Sequence, residues 1–127
     1  MEEPRDNSEM AQFLLVMAGG ALGAAGRFGI SRVLPKAFWS VTSVNILGSF
    51  LAIWLFTSLL QGEVNSNARF FTITGFLGAF TTFSAFSLES MTLLQENKYG
   101  LLVAYVFLNV MGSLAAAFIA WKLFQTV

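Results

Sequence analysis

From Thr74 to Glu89 the chain reads Thr-Gly-Phe-Leu-Gly-Ala-Phe-Thr-Thr-Phe-Ser-Ala-Phe-Ser-Leu-Glu, with five hydroxyl residues and four phenylalanines. A segment built only to fill apolar space would use leucine. Phenyl rings carry partial positive charge at their edges, and hydroxyls and the Asn45 carboxamide offer N–H or O–H donors. Together such groups can hold a small anion stripped of water without any full positive charge. Gly78 followed by Thr81-Thr82 can also open the backbone, exposing carbonyls that suit cations and helix N-termini that suit anions. The plainer alternative is an unbroken helix whose hydroxyls bond back to their own carbonyls. The density of glycine, hydroxyl and phenyl groups favours the break.

Other chemistry has little to work with. There is no histidine and no cysteine, which removes the commonest general base, the commonest metal ligands and any thiol nucleophile. No nucleophile–base pair or phosphate loop is visible, so an enzyme is not expected. Net charge is zero, with seven basic and seven acidic residues and no polybasic tract pointing to nucleic acid. Near membrane depth the only charged residues are Arg27 and Glu89. Proton-coupled transporters place carboxylates or histidines in the path, so passive conduction is the better reading.

The elements that must carry these groups follow from composition. Of 127 residues, 56% are hydrophobic and 11% charged, against about 25% charged in ordinary soluble domains. Charges divide the chain into apolar runs: Met10 to Gly26, extensible to Leu34; Ala37 to Gln61; Phe70 to Leu88; and Tyr99 to Trp121. Roughly 20 apolar residues let a helix cross the hydrocarbon core, and helices are the default because an open strand edge leaves backbone groups unpaired in lipid. The expectation is an all-α membrane protein of four transmembrane helices in one domain, residues 10–127, behind a short polar tail, residues 1–9. The tail is acidic, unlike the basic start of a signal peptide. The loops are short: Pro35-Lys36, Gly62 to Ala68 and Gln95 to Lys98.

Four spans put both termini on one side. Arg5, Arg69 and Lys122 then fall on that side, and Arg32, Lys36 and Lys98 on the other. This balance gives the positive-inside rule nothing to act on, and the simplest consequence is dual topology with antiparallel pairing. Within the spans, Gly19, Gly20, Gly23 and Gly26 read as a close-packing face. Arg27 follows it and must reach an interface, a carboxylate or water. Asn45, Gly48, Ser49 and Ala52 share a face of the second span, and Tyr105, Asn109 and Ser113 form a polar stripe on the fourth. For both faces, helix-to-helix glue and the lining of a pathway remain open.

The run from Gly75 to Glu89 closely resembles the third-helix signature of the CrcB/Fluc fluoride channels. Gly19 to Arg27 is similar to that family's glycine-rich first helix ending in arginine, Val44-Asn45-Ile-Leu-Gly48 to its second-helix motif, and Tyr105 with Gly112-Ser113 to its fourth helix. The resemblance implies an antiparallel, dual-topology homodimer with the third helix broken near its middle and two pores. It implies a fluoride path lined by Asn45, Phe83, Phe86 and Tyr105, with hydroxyls from Thr82, Ser84, Ser87 and Ser113, and Glu89 toward a vestibule. It implies a structural sodium ion at the dimer centre, held by backbone carbonyls of Gly78 and Thr81 from both subunits, and leaves Arg27 a structural part. The implied task is protective: fluoride trapped in the cytoplasm leaves down its gradient, through a multi-pass protein of a bacterial plasma (inner) membrane. Ala79, Phe80, Asn109 and Val41 depart from the family pattern. A small multidrug exporter would match the size but needs a carboxylate in the first span, where Met10 to Leu34 has none. A non-conducting scaffold would give no reason for the Phe-Thr-Thr-Phe-Ser run.

Overall fold

The computed structural model describes residues 7–60 and 66–125. Met1 to Asp6 of the polar tail, and Gln61 to Asn65 with most of the second loop, lie outside the described residues. Among the described residues, four helical segments are long and apolar enough to cross a membrane, as the apolar runs predict. Helix α1 spans Asn7–Val33, so three residues assigned to the tail are already helical. Glu9 stands in its first turn, where a negative charge suits the positive end of the helix dipole. Helix α2 spans Ala37–Leu60.

The third span is composite. A short α3, Ser66–Arg69, widens into a π-helical stretch, Phe70–Leu77, and then into α4, Gly78–Phe80. Thr81 (φ −80°, ψ 156°) and Thr82 (φ −152°, ψ 117°) are extended, and α5 restarts at Phe83 and runs to Gln95. The expected break is therefore present, but it falls on the two threonines; Gly78 stays helical (φ −59°, ψ −33°). Thr82 caps the new helix, its Oγ1 accepting the Ala85 N–H at 3.1 Å, which satisfies one of the donors a helix start leaves orphaned. Helix α6, Tyr99–Phe124, is the fourth span.

The corner between α5 and α6 is tight. Asn97 takes a left-handed conformation (φ 58°), its N–H bonds Leu94 O at 3.1 Å, and the Lys98 N–H bonds Leu93 O at 2.9 Å. That pair of bonds is a Schellman cap, with asparagine in the place glycine usually fills.

Packing pairs the spans two by two. Helix α2 lies chiefly against α6, and α1 against the π-helical stretch and α4. Glycines set the second contact. A Cβ on Gly23 would collide with the Phe76 carbonyl, one on Gly19 with the Phe71 carbonyl, and one on Gly75 would sit 2.7 Å from the Val16 carbonyl. The first-span glycines thus do what small residues do in lipid, where close backbone approach replaces a hydrophobic drive. At the far end, Arg69 lies over the Phe56 ring at 5.8 Å, and Lys122 over Phe118 and Trp121 at 5.7 and 5.1 Å. Such aromatic and basic clusters mark the membrane–water boundary.

Candidate functional site

The break is held from outside by one side chain. Asn45, on α2, accepts the Thr82 N–H at its Oδ1 (2.8 Å) and donates from Nδ2 to the Thr82 carbonyl (3.1 Å). A carboxamide thus closes both backbone bonds that the interrupted helix leaves open. The exchange also frees carbonyls. In a continuous helix the Thr82 N–H would return to Gly78 O, and the Ala85 N–H to Thr81 O; here the first goes to Asn45 and the second to Thr82 Oγ1.

Around the break lies a groove of about 550 Å³ lined by Asn45, Ser49, Gly78, Thr81, Thr82, Phe83, Phe86, Asn109 and Ser113, among others, with no charged side chain in its wall. Residues singled out on three separate runs of sequence therefore converge. The Phe83 and Phe86 rings stand 5.4 Å apart, tilted at 48°. Phe86 continues into Tyr105 at 5.3 Å, and Tyr105 into Phe38 at 5.0 Å.

Two hydroxyls stand out. Tyr105 is wholly buried and its OH has no hydrogen-bond partner; the Ser113 Oγ, in the groove wall, is likewise buried and unpartnered. An unmade buried hydrogen bond costs about 1–3 kcal/mol, so an orphaned donor beside a groove points to a ligand that meets it. The other hydroxyls are engaged locally. Thr82 Oγ1 lies 3.1 Å from Ser84 Oγ, and Ser87 Oγ bonds back to Phe83 O at 3.0 Å. Ser87 and Glu89 are half-buried on α5 and Ser84 is exposed; none of the three lines the groove.

Arg27 lies apart. It is half-buried and lines a second cavity of about 340 Å³ with Ser31, Ser40 and Thr82. Among the described residues the one ion pair is Lys98–Glu96, 2.6 Å and exposed, so Arg27 pairs with no carboxylate among them. Hydrogen bonding to Glu96 raises the Lys98 ammonium above its ordinary value. Thr82 borders both cavities, a shared wall that the sequence did not announce. Nor did it single out Thr42, whose Oγ1 accepts from Asn109 at 2.9 Å; its signal was a threonine one turn before Asn45.

A family model described as "CrcB-like protein, Camphor Resistance (CrcB)" matches residues 14–121. The chain belongs to the CrcB family. It is similar to a fluoride-specific ion channel FluC of Methanococcus maripaludis, 42% identical over 113 residues, covering 87% of this chain and 93% of the relative. It is also similar to channels of the same name from Thermus thermophilus (38% over 119 residues, 90% and 95% covered) and Anaeromyxobacter dehalogenans (39% over 117 residues, 87% and 93% covered). These CrcB relatives are named as ion channels, a class without enzymes, and this chain is a multi-pass membrane protein like them.

Proposed function

We propose that this chain is the subunit of a fluoride-selective channel that lets cytoplasmic fluoride leave down its electrochemical gradient. The observation that carries the reading is the buried, partnerless Ser113 hydroxyl in a groove that also holds Phe83, Phe86 and Asn45 and no charge. A dehydrated fluoride ion accepts hydrogen bonds strongly and suits positive ring edges. Neutral donors hold it well enough to enter and weakly enough to leave, the condition for conduction. The relatives' name, fluoride-specific ion channel, supports the choice of ion.

The working unit is an antiparallel homodimer in the bacterial inner membrane, with two pores. Support comes from the balanced basic residues and from Phe83, which is 78% exposed on the single chain although it stands at the groove. Sodium fits the break: the Gly78 and Thr81 carbonyls lose their helical donors there, and both residues face the same groove. Those carbonyls, from two subunits, would hold the ion, which would supply a fixed charge binding the halves together. Ser84, Ser87 and Glu89 belong to the outer part of the path, Tyr105 backs its rings, and Arg27 has a structural part.

Fluoride efflux from liposomes holding the purified protein, read with a fluoride electrode against chloride, tests the reading. Fast fluoride loss with little chloride movement is expected. Phe83→Ile and Asn45→Asp should abolish that loss while leaving assembly intact; efflux surviving both would refute the pore.

A further inference from the structure

Asn45 has two N–H donors, and both are used: one by the Thr82 carbonyl at 3.1 Å, the other by Asn109 Oδ1 at 3.0 Å. The orientation of each carboxamide follows from its neighbours. The Thr82 N–H can only donate, so it fixes Asn45 Oδ1. Asn109 Nδ2 meets the Tyr105 carbonyl at 3.0 Å, which can only accept, and Thr42 Oγ1 at 2.9 Å, whose own proton goes to Phe38 O at 2.6 Å. Asn109 is therefore pinned by two donated bonds, 5% exposed, with its oxygen turned to Asn45. Asn45 does not need Asn109 to stay in place, because Thr82 already clasps it from both sides.

We infer that Asn109 is an affinity-setting residue whose Oδ1 competes with the anion for the groove-side N–H of Asn45. The inference rests on the fluoride-channel reading. An ion entering beside Asn45 gains that donor only by displacing Asn109 Oδ1. The exchange offsets part of the ion's binding, so the ion is held less tightly and released faster. Asn109 thereby supplies the weakness that conduction demands, and Thr42 holds it in register. The carboxamide is an uncharged stand-in for the ion, resident when the ion is absent.

The test is the fluoride dependence of efflux through the full-length protein in liposomes, separating the half-saturating concentration from the maximal rate. Asn109→Ser shortens the side chain so that its oxygen no longer reaches Asn45. It should lower the half-saturating fluoride concentration roughly fivefold, the factor matching one net hydrogen bond of about 1 kcal/mol, with a maximal rate that is equal or lower. Thr42→Val, which keeps the shape and removes the anchor, should shift it in the same direction but less, and the double variant should match Asn109→Ser alone. An unchanged or raised half-saturating concentration in Asn109→Ser, with assembly intact by size-exclusion chromatography, overturns the inference. If Asn109→Ser does not assemble, Thr42→Val decides alone. A parent protein that shows no fluoride efflux at all would instead refute the channel reading.

Discussion

Ser113 and Tyr105 present the protein with a cost that folding alone does not justify. Each buries an oxygen without a partner. If the Ser113 hydroxyl served only packing, Ser113→Ala would be neutral or slightly stabilising, because an unsatisfied polar group is removed. The expectation is a split outcome. Thermal stability should hold or rise by up to about 1 kcal/mol, while fluoride efflux should slow at least threefold or so, the effect of losing one weak donor to an anion. Melting of the detergent-solubilised protein and efflux on the same preparation check both halves, and unchanged efflux would take Ser113 out of the path. Residues of this kind were partly legible in the sequence. Asn45 and Phe83 declared themselves because amides and rings are conspicuous among leucines and alanines. The stripe Tyr105–Asn109–Ser113 was visible, but which members glue helices and which face a path depends on neighbours on α2. Asn109 makes two hydrogen bonds to α2, through Asn45 and Thr42, and Ser113 makes none, though both sit on the same face.

The interruption of the third span is written in two places far apart in the chain. Thr81 and Thr82 are β-branched and accept extended backbone readily, and Thr82 carries its own cap, which is why a break could be expected locally. Its position is set by Asn45, 37 residues away, whose amide takes over both backbone groups of Thr82. That explains why Gly78, the more obvious breaker, remains helical. Thr82→Val keeps the shape and the backbone clasp but removes the cap, so it should cost about 1 kcal/mol of stability, and Thr82→Ser should restore it; equal melting of all three would mean the cap contributes nothing. The π-helical widening at Phe70–Leu77 was not legible from the run itself; within it Gly75 sits so close to α1 that a Cβ would lie 2.7 Å from the Val16 carbonyl. The same contact makes the glycines intolerant. Gly23→Ala would drive a methyl into the Phe76 carbonyl, and backbone moves less readily than a side-chain tip. Destabilisation of about 1–3 kcal/mol is expected from such overpacking, while Gly29→Ala, which meets nothing, should be neutral or mildly stabilising by removing a helix-interior glycine.

The assembled protein poses the question of which way up each copy stands. Arg32 closes α1, Lys36 precedes α2 and Lys98 precedes α6, so these three basic residues share one end of the bundle. Arg69 and Lys122 share the other, and the sequence count adds Arg5, outside the described residues, to their side. Orientation is set by the imbalance of basic residues near the spans, and three against three leaves no imbalance. Both orientations should then be populated, and only a mixture could supply the proposed antiparallel pair, which would bury Phe83 and bring four carbonyls together. If the proposed antiparallel pair is the working unit, the charge balance is a functional requirement, and it can be broken without touching the groove. Two lysines added after Val127 should bias every copy one way, and two lysines inserted beside Lys36 should bias every copy the other. Each biased form alone should lose most fluoride efflux from cells, whereas the two expressed together should recover it, since each supplies the orientation the other lacks. Cysteine labelling from one side of the membrane, in a chain with no cysteine of its own, reads the orientation of each form independently of transport. If a form labelled from one side only still conducts as well as the parent, the working unit is a parallel assembly or a single chain, and the antiparallel pairing with its shared sodium site falls with it.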